Sequence, residues 1–159
     1  MELFDKKILE KVGKTLLKKQ ETIAVAESVT AGALQFALST IPDAAQFFQG
    51  GITAFNIGQK CRQLRVEPIH ALTVNCVSQK VANEMATEIA NCFGSDWNLA
   101  ITGYASPVPE SQNKIYAYYA IMHKGKLMSK GKLTPHKADP PQVQINYANT
   151  LLQKLSRVM

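Results

Sequence analysis

The sequence predicts a three-layer α/β/α sandwich on a mixed sheet of about five strands, in a single domain spanning residues 1–159. Three observations carry this prediction. Short apolar strands alternate with amphipathic helices through most of the chain, the pattern that builds parallel β-α-β units. A hairpin, "KIYAYYAIMHKGKLMSKGKL", comes late and adds antiparallel strands. "TIAVA" at 22–26 is apolar at nearly every position, as a strand covered on both faces must be.

The elements follow in order. Phe4, Ile8, Val12, Leu16 and Leu17 recur at helical spacing and predict a helix over 3–19. "SVTAGALQFALSTI" predicts a helix capped by Ser28 or Thr30 and closed before Pro42. "GGITAF" reads as a second strand and "GQKCRQL" as a short helix. Ser78 caps "SQKVANEMATEIANCF", with Val81, Met85 and Ile89 on one face and Gly94 as the stop. "WNLAITGYA" is a third strand, the hairpin turns at Lys124-Gly125, and a last helix over about 140–156 aligns Val143, Tyr147, Leu151 and Leu155.

Composition narrows the functional classes. No apolar run reaches the ~18 residues of a bilayer span. The N-terminal amphipathic stretch carries acids and lacks a small-residue cleavage site, so a cytoplasmic protein without membrane association is expected. Cys61, Cys76 and Cys92 form no CxxC pair and read as reduced thiols. His70, His123 and His136 have no second ligand at metal spacing, and no metal is expected. The net charge of +6 rests on fifteen lysines against three arginines (Arg62, Arg65, Arg157). Scarce arginine and no interleaved aromatics argue against nucleic acid and for a solvated lysine-rich surface.

In open α/β sheets, ligands gather beyond the carboxyl ends of the strands. Three stretches arrive there: "AESVTAG", the 56–60 turn with Lys60, and "TGYASP". The first sets Glu27, Ser28, Thr30 and Gly32 at a strand-to-helix turn, where a helix N-terminus could seat a phosphate or carboxylate. Neither a Walker loop nor a dinucleotide fingerprint is present, and no cofactor is expected.

Taken together, the order AES-x-T-x-G, F-x-GG-x-x-x-F with a following lysine, VS…EMA and TG-x-A-x-P resembles the C-terminal domain of the competence/damage-inducible protein CinA, the nicotinamide-nucleotide amidase family. The matched positions run from Ala26, Glu27, Ser28, Thr30 and Gly32 through Phe48, Gly50, Gly51 and Lys60. They continue through Val77, Ser78, Glu84, Met85 and Ala86 to Thr102, Gly103, Ala105 and Pro107. The resemblance covers about 5–155. It implies hydrolysis of the carboxamide of nicotinamide mononucleotide by a serine assisted by lysine, with a nearby tyrosine and an arginine on the phosphate.

On this sequence the resemblance sets the serine in the segment before Phe48, where Asp43-Ala44-Ala45 stands, so the nucleophile position falls on Ala45. The tyrosine falls on Phe55. Lys60 is retained, Lys137 stands for one arginine, and Pro141 or Gln142 replaces the other. The first glycine of the opening motif is Ala31. The expectation is a catalytically impaired homo-oligomer that binds a small anion or mononucleotide. Its ligand residues would be Glu27, Ser28, Thr30, Gly32, Gly50, Gly51, Thr102, Gly103 and Lys137. The alternative is an active amidohydrolase whose nucleophile has moved to Ser28, Thr30 or Ser39, within reach of Lys60. A DNA-related accessory role ranks last.

Overall fold

The computed structural model describes residues 2–159, so residue 1 of the predicted domain lies outside it. The chain runs α1 (Lys6–Lys19), β1 (Ile23–Glu27), α2 (Ala33–Ser39), β2 (Phe48–Thr53), α3 (Ile57–Leu64), α4 (Pro68–Thr73), α5 (Gln79–Phe93), β3 (Trp97–Gly103), β4 (Ala117–His123), β5 (Lys126–Leu133) and α6 (Pro140–Val158). The five strands form one sheet in the order β2-β1-β3-β4-β5. β1 pairs in parallel with β2 and β3, and β3, β4 and β5 pair antiparallel. The mixed α/β sandwich is therefore as predicted.

Side chains alternate across a strand, and here the alternation sorts them by size. Ile23, Val25, Leu99, Ile101, Tyr119 and Ile121 face α1, α2 and α6. Ala24, Ala26, Ala100 and Ala120 face the other way. These four short side chains let α5 lie close to the sheet through Val81, Met85 and Ile89.

The caps expected for α5 hold, while Asp5, expected inside a helix over 3–19, instead caps one that starts at Lys6. Asp5 Oδ1 accepts the N–H groups of Lys7 and Ile8 to start α1. Ser78 Oγ accepts Val81 N–H at 3.2 Å, and Gly94 ends α5 at φ +61°. The hairpin turns at Lys124 (φ +48°) and Gly125 (φ +81°), both left-handed as a tight two-residue hairpin requires.

Three elements differ from expectation. α4 (Pro68–Thr73) lies where the sequence predicted no element: Glu67 caps it by accepting the N–H groups of Ile69 and His70, and Pro68 starts it. α2 does not begin at Ser28 or Thr30. Ala31 and Gly32 are both left-handed, and the helix starts only at Ala33. The Gly50-Gly51 pair is a bulge: register passes from Ile23↔Phe48 to Ala24↔Gly50, and Gly50 takes φ +125°. Among the described residues no helix is long and apolar enough to cross a membrane, and no three His, Cys, Asp or Glu side chains gather as a metal site. Cys61, Cys76 and Cys92 are free thiols.

Glu21, just ahead of β1, joins the amino end of the sheet to the hairpin. Its carboxylate accepts Trp97 Nε1–H at 2.6 Å and lies 3.1 Å from His123 Nε2 and 3.4 Å from Lys124 Nζ. Burial pushes its pKa up, but these donors outweigh it and hold the carboxyl below the ordinary glutamate range.

Two outcomes are expected. A Cβ on Gly51 would stand 2.6 Å from the Val25 carbonyl oxygen, which is fixed by strand pairing. Gly51→Ala should therefore lower the unfolding free energy by about 1–3 kcal/mol in urea titrations. A lowered carboxyl pKa adds stability above the unfolded value and loses it as pH falls through the folded one. Thermal melts should accordingly show wild type losing stability at acid pH more steeply than Glu21→Gln.

Candidate functional site

β1, β2 and β3 end at the same edge of the sheet. β1 is its topological switch point, since α2 leads outward to β2 and α3–α5 lead back across to β3. A cavity of about 820 Å³ opens at this edge. Its lining includes Ser28 after β1, Phe55 to Lys60 after β2, Gly103 to Ser106 after β3, and Pro140 and Gln144 at the start of α6. The place matches the expectation from sequence, and the size suits a small molecule.

Glu27 decides what the first motif presents. It is fully buried, yet its carboxylate accepts Thr30 Oγ1–H at 2.6 Å, Leu34 N–H at 2.9 Å and Gln35 N–H at 3.0 Å. The carboxylate thus occupies the N-terminus of α2, complementing the helix dipole and satisfying its free N–H groups. The anion seat expected there is already filled by the chain itself. Glu27 and Thr30 are spent inside the fold, and Gly32 borders a separate shallow depression with Leu3 and Phe36.

Ser28, the next residue, is left facing the cavity. It is 4% exposed, and among the described residues its Oγ makes no hydrogen bond to protein. Lys60, on the first turns of α3, lines the same cavity at 5% exposure. No carboxylate pairs with its ammonium among the described residues. Desolvation pushes its pKa below the ordinary lysine range, against a smaller opposing influence of Cys76 and Cys61.

The other expected site residues separate. Phe55 stands on the cavity rim, 67% exposed. Ala45 does not reach the cavity. It is exposed in a single 3₁₀ turn (Ala44–Gln46) ahead of β2, at the opposite end of the sheet. The oxygen missing at Ala45 therefore says nothing about this cavity. Thr102 donates to the Cys76 carbonyl at 2.7 Å and is a structural tie, not a ligand contact. Gly103 reaches the lining, and a Cβ there would also meet Ala117 and the Tyr116 carbonyl oxygen. Gly50 and Gly51 lie within β2, against Phe93 and Val25, away from the cavity. Lys137 is exposed beside a separate depression with Pro107, Asn113 and Pro135. Ser39 donates to the Phe36 carbonyl on the exposed side of α2.

The sequence reading missed four polar wall residues. Tyr104 Oη accepts from Asn75 Nδ2 at 3.2 Å, Gln144 Nε2 donates to the Val29 carbonyl at 2.9 Å, and Glu110 lies on a 3₁₀ turn. Tyr104 sits inside the quoted "TGYASP" and could have been singled out there. The others come from distant segments with no local signature.

The family model of the CinA C-terminal domain matches residues 5–159. The chain belongs to this family. Among curated CinA-like proteins it is 36% identical over 110 residues to one from Trichodesmium erythraeum and 42% identical over 111 residues to one from Prochlorococcus marinus. Each alignment covers 69% of this chain and 26% of the relative, so the matched part is about a quarter of the relatives' length. Among solved structures, a CinA superfamily protein from Escherichia coli superposes with a TM-score of 0.89 at 27% identity, covering 96% of this chain and 88% of that one. A competence damage-inducible protein A from Klebsiella pneumoniae gives 0.89 at 24% identity, covering 95% and 94%. The latter likeness speaks for the CinA fold alone.

A base whose folded pKa is depressed costs stability below its unfolded pKa, and that cost fades as pH rises. Replacing the buried ammonium by an apolar chain of similar length removes it. Lys60→Met should therefore melt at a higher temperature than wild type at neutral pH, with the gap closing toward alkaline pH. A lower melting temperature for the variant at neutral pH would show a paired, structural lysine instead.

Proposed function

We propose that this CinA-family chain is a weakened amidohydrolase, cleaving the C–N bond of a small carboxamide held in the cavity. Ser28 is its nucleophile and Lys60 its base. One observation carries the reading: a hydroxyl and an ammonium, both buried and both uncommitted, line the same cavity. Burying an unpaired lysine costs a fold stability, and a desolvated lysine that shares a cavity with a serine is what base-assisted attack requires.

In this mechanism the neutral Lys60 amine takes the proton from Ser28 Oγ as the oxygen attacks the amide carbonyl carbon. The first N–H groups of α3, at Ile57 and Gly58, border the cavity and supply donors for the carbonyl oxygen as it gains charge. The Lys60 ammonium returns the proton to the departing nitrogen, which leaves as ammonia. Water then adds to the Ser28 ester with Lys60 again as base, releasing the carboxylic acid and restoring the hydroxyl.

The weakening comes from Phe55, which sets an apolar ring where the family resemblance puts a tyrosine hydroxyl. A positioned proton-transfer group contributes about 10²–10⁴-fold to rate, so its loss slows turnover without removing the nucleophile. Phe55 also favours a second reading, in which the cavity binds its carboxamide without turning it over.

The test is ammonia release from nicotinamide mononucleotide and from its dephosphorylated nucleoside. Slow release is expected, rising with pH through the lowered pKa of Lys60. Ser28→Ala and Lys60→Met should each cut it by about a thousand-fold or more, and Phe55→Tyr should raise it. Release that persists in Ser28→Ala would overturn the assignment. Calorimetric binding with no release, in wild type and Phe55→Tyr alike, would leave the second reading.

A further inference from the structure

The charges around the cavity restrict what it can hold, given the amidohydrolase reading on which this inference rests. Lys60 is the single lysine or arginine among the lining residues, and it is the residue the reaction occupies. All three arginines lie elsewhere. Arg62 is exposed on α3, Arg65 meets Glu88 at 3.3 Å, and Arg157 is in the last turn of α6. Lys137 belongs to another depression. The one carboxylate of the lining, Glu110, is exposed on its wall.

Helix N-termini are the other common seat for a phosphate, and α2, α3, α5 and α6 begin near this cavity; at α5 the Ser78 Oγ takes the Val81 N–H. The start of α2 holds the Glu27 carboxylate. α6 begins with Pro140 and Pro141, which have no N–H to offer, and its cap residue Asp139 adds another carboxylate. At α3, Asn56 Oδ1 already takes the Gln59 N–H at 2.9 Å. That leaves Ile57 and Gly58, which serve the substrate carbonyl in the proposed reaction. The remaining wall carries groups suited to a flat ring or a cation: the rings of Phe55 and Tyr104 and the carboxylate of Glu110.

We infer that the cavity takes a phosphate-free carboxamide, neutral or cationic and of nucleoside size or smaller, and that Glu110 selects against the phosphorylated form. A 5′-phosphate would bring about two negative charges to a wall that, among the described residues, offers one carboxylate and no lysine or arginine besides Lys60.

The experiment compares kcat/KM for ammonia release from N-ribosylnicotinamide and from its 5′-monophosphate, in wild type and Glu110→Lys. Wild type should favour the nucleoside by about tenfold or more, and Glu110→Lys should shrink or reverse that ratio. Because Glu110 is exposed, the variant is expected to fold. Should it fail to, the wild-type ratio at low and high salt still decides, since exclusion by charge weakens as ions screen it. Preference for the monophosphate in wild type, with turnover still dependent on Ser28, would overturn this inference and leave the amidohydrolase reading standing. Turnover of neither compound, with no calorimetric binding of either, would sink both.

Discussion

The architecture of the site depends on the buried Glu27 carboxylate. A charge without solvent is tolerable only when its oxygens are saturated by donors, and here one hydroxyl and two backbone N–H groups of the next helix do so. The same bonds pin the end of β1 to the start of α2 and force the chain between them into a tight turn through Ala31 and Gly32. Ser28 stands at the entry to that turn, with its backbone N–H bonded to the Ile101 carbonyl of β3 at 3.2 Å. Its side chain is therefore aimed by backbone held at both ends. Strong local constraint next to a free hydroxyl is what a nucleophile needs for a fixed line of attack.

A helix N-terminus already occupied by a side-chain carboxylate changes how the first motif reads. From sequence, a Glu, two hydroxyls and a glycine before a helix look like ligands for an incoming anion. In the fold, Glu27 and Thr30 bond to each other and to the helix, while Ser28 alone turns outward. Neighbouring polar residues in one motif have thus divided between holding the turn and facing the cavity. The four alanines of the opposite sheet face are equally consequential. They bring α5 close to the strands, while α3, in the same layer, carries Lys60 to the cavity edge.

Most of the fold was legible in the sequence because its signals are local. Ser78, Gly94 and the Lys124-Gly125 pair each act within a few residues of themselves, and all do what their chemistry suggests. The start of α2 was misread because its cap, Glu27, reaches forward seven residues to the Leu34 N–H, a range no capping rule covers. α4 was missed because six residues are too few to show helical periodicity. The site was legible in position and only partly in content. Strand ends pointed to the edge at which the cavity opens, and Ser28, Phe55, Lys60 and Gly103 all line it. Ala45 precedes β2 and so lies at its amino end, away from the carboxyl ends that border the cavity; its assignment rested on the resemblance and not on strand direction. Asn75, Glu110 and Gln144 arrive from segments far apart in the chain, and only the completed sheet brings them together.

The chain has one tryptophan, and its setting has a practical meaning. Trp97 is buried at the first position of β3, stacked on the His123 ring with centroids 4.1 Å apart. Ser28 and Lys60 lie at the far end of that strand. Indole emission from this protein is therefore a gauge of whether the strands are assembled, read from the side where no substrate docks. A compound settling beyond Gly103 would leave it largely undisturbed, so optical signals of occupancy belong to Tyr104 instead.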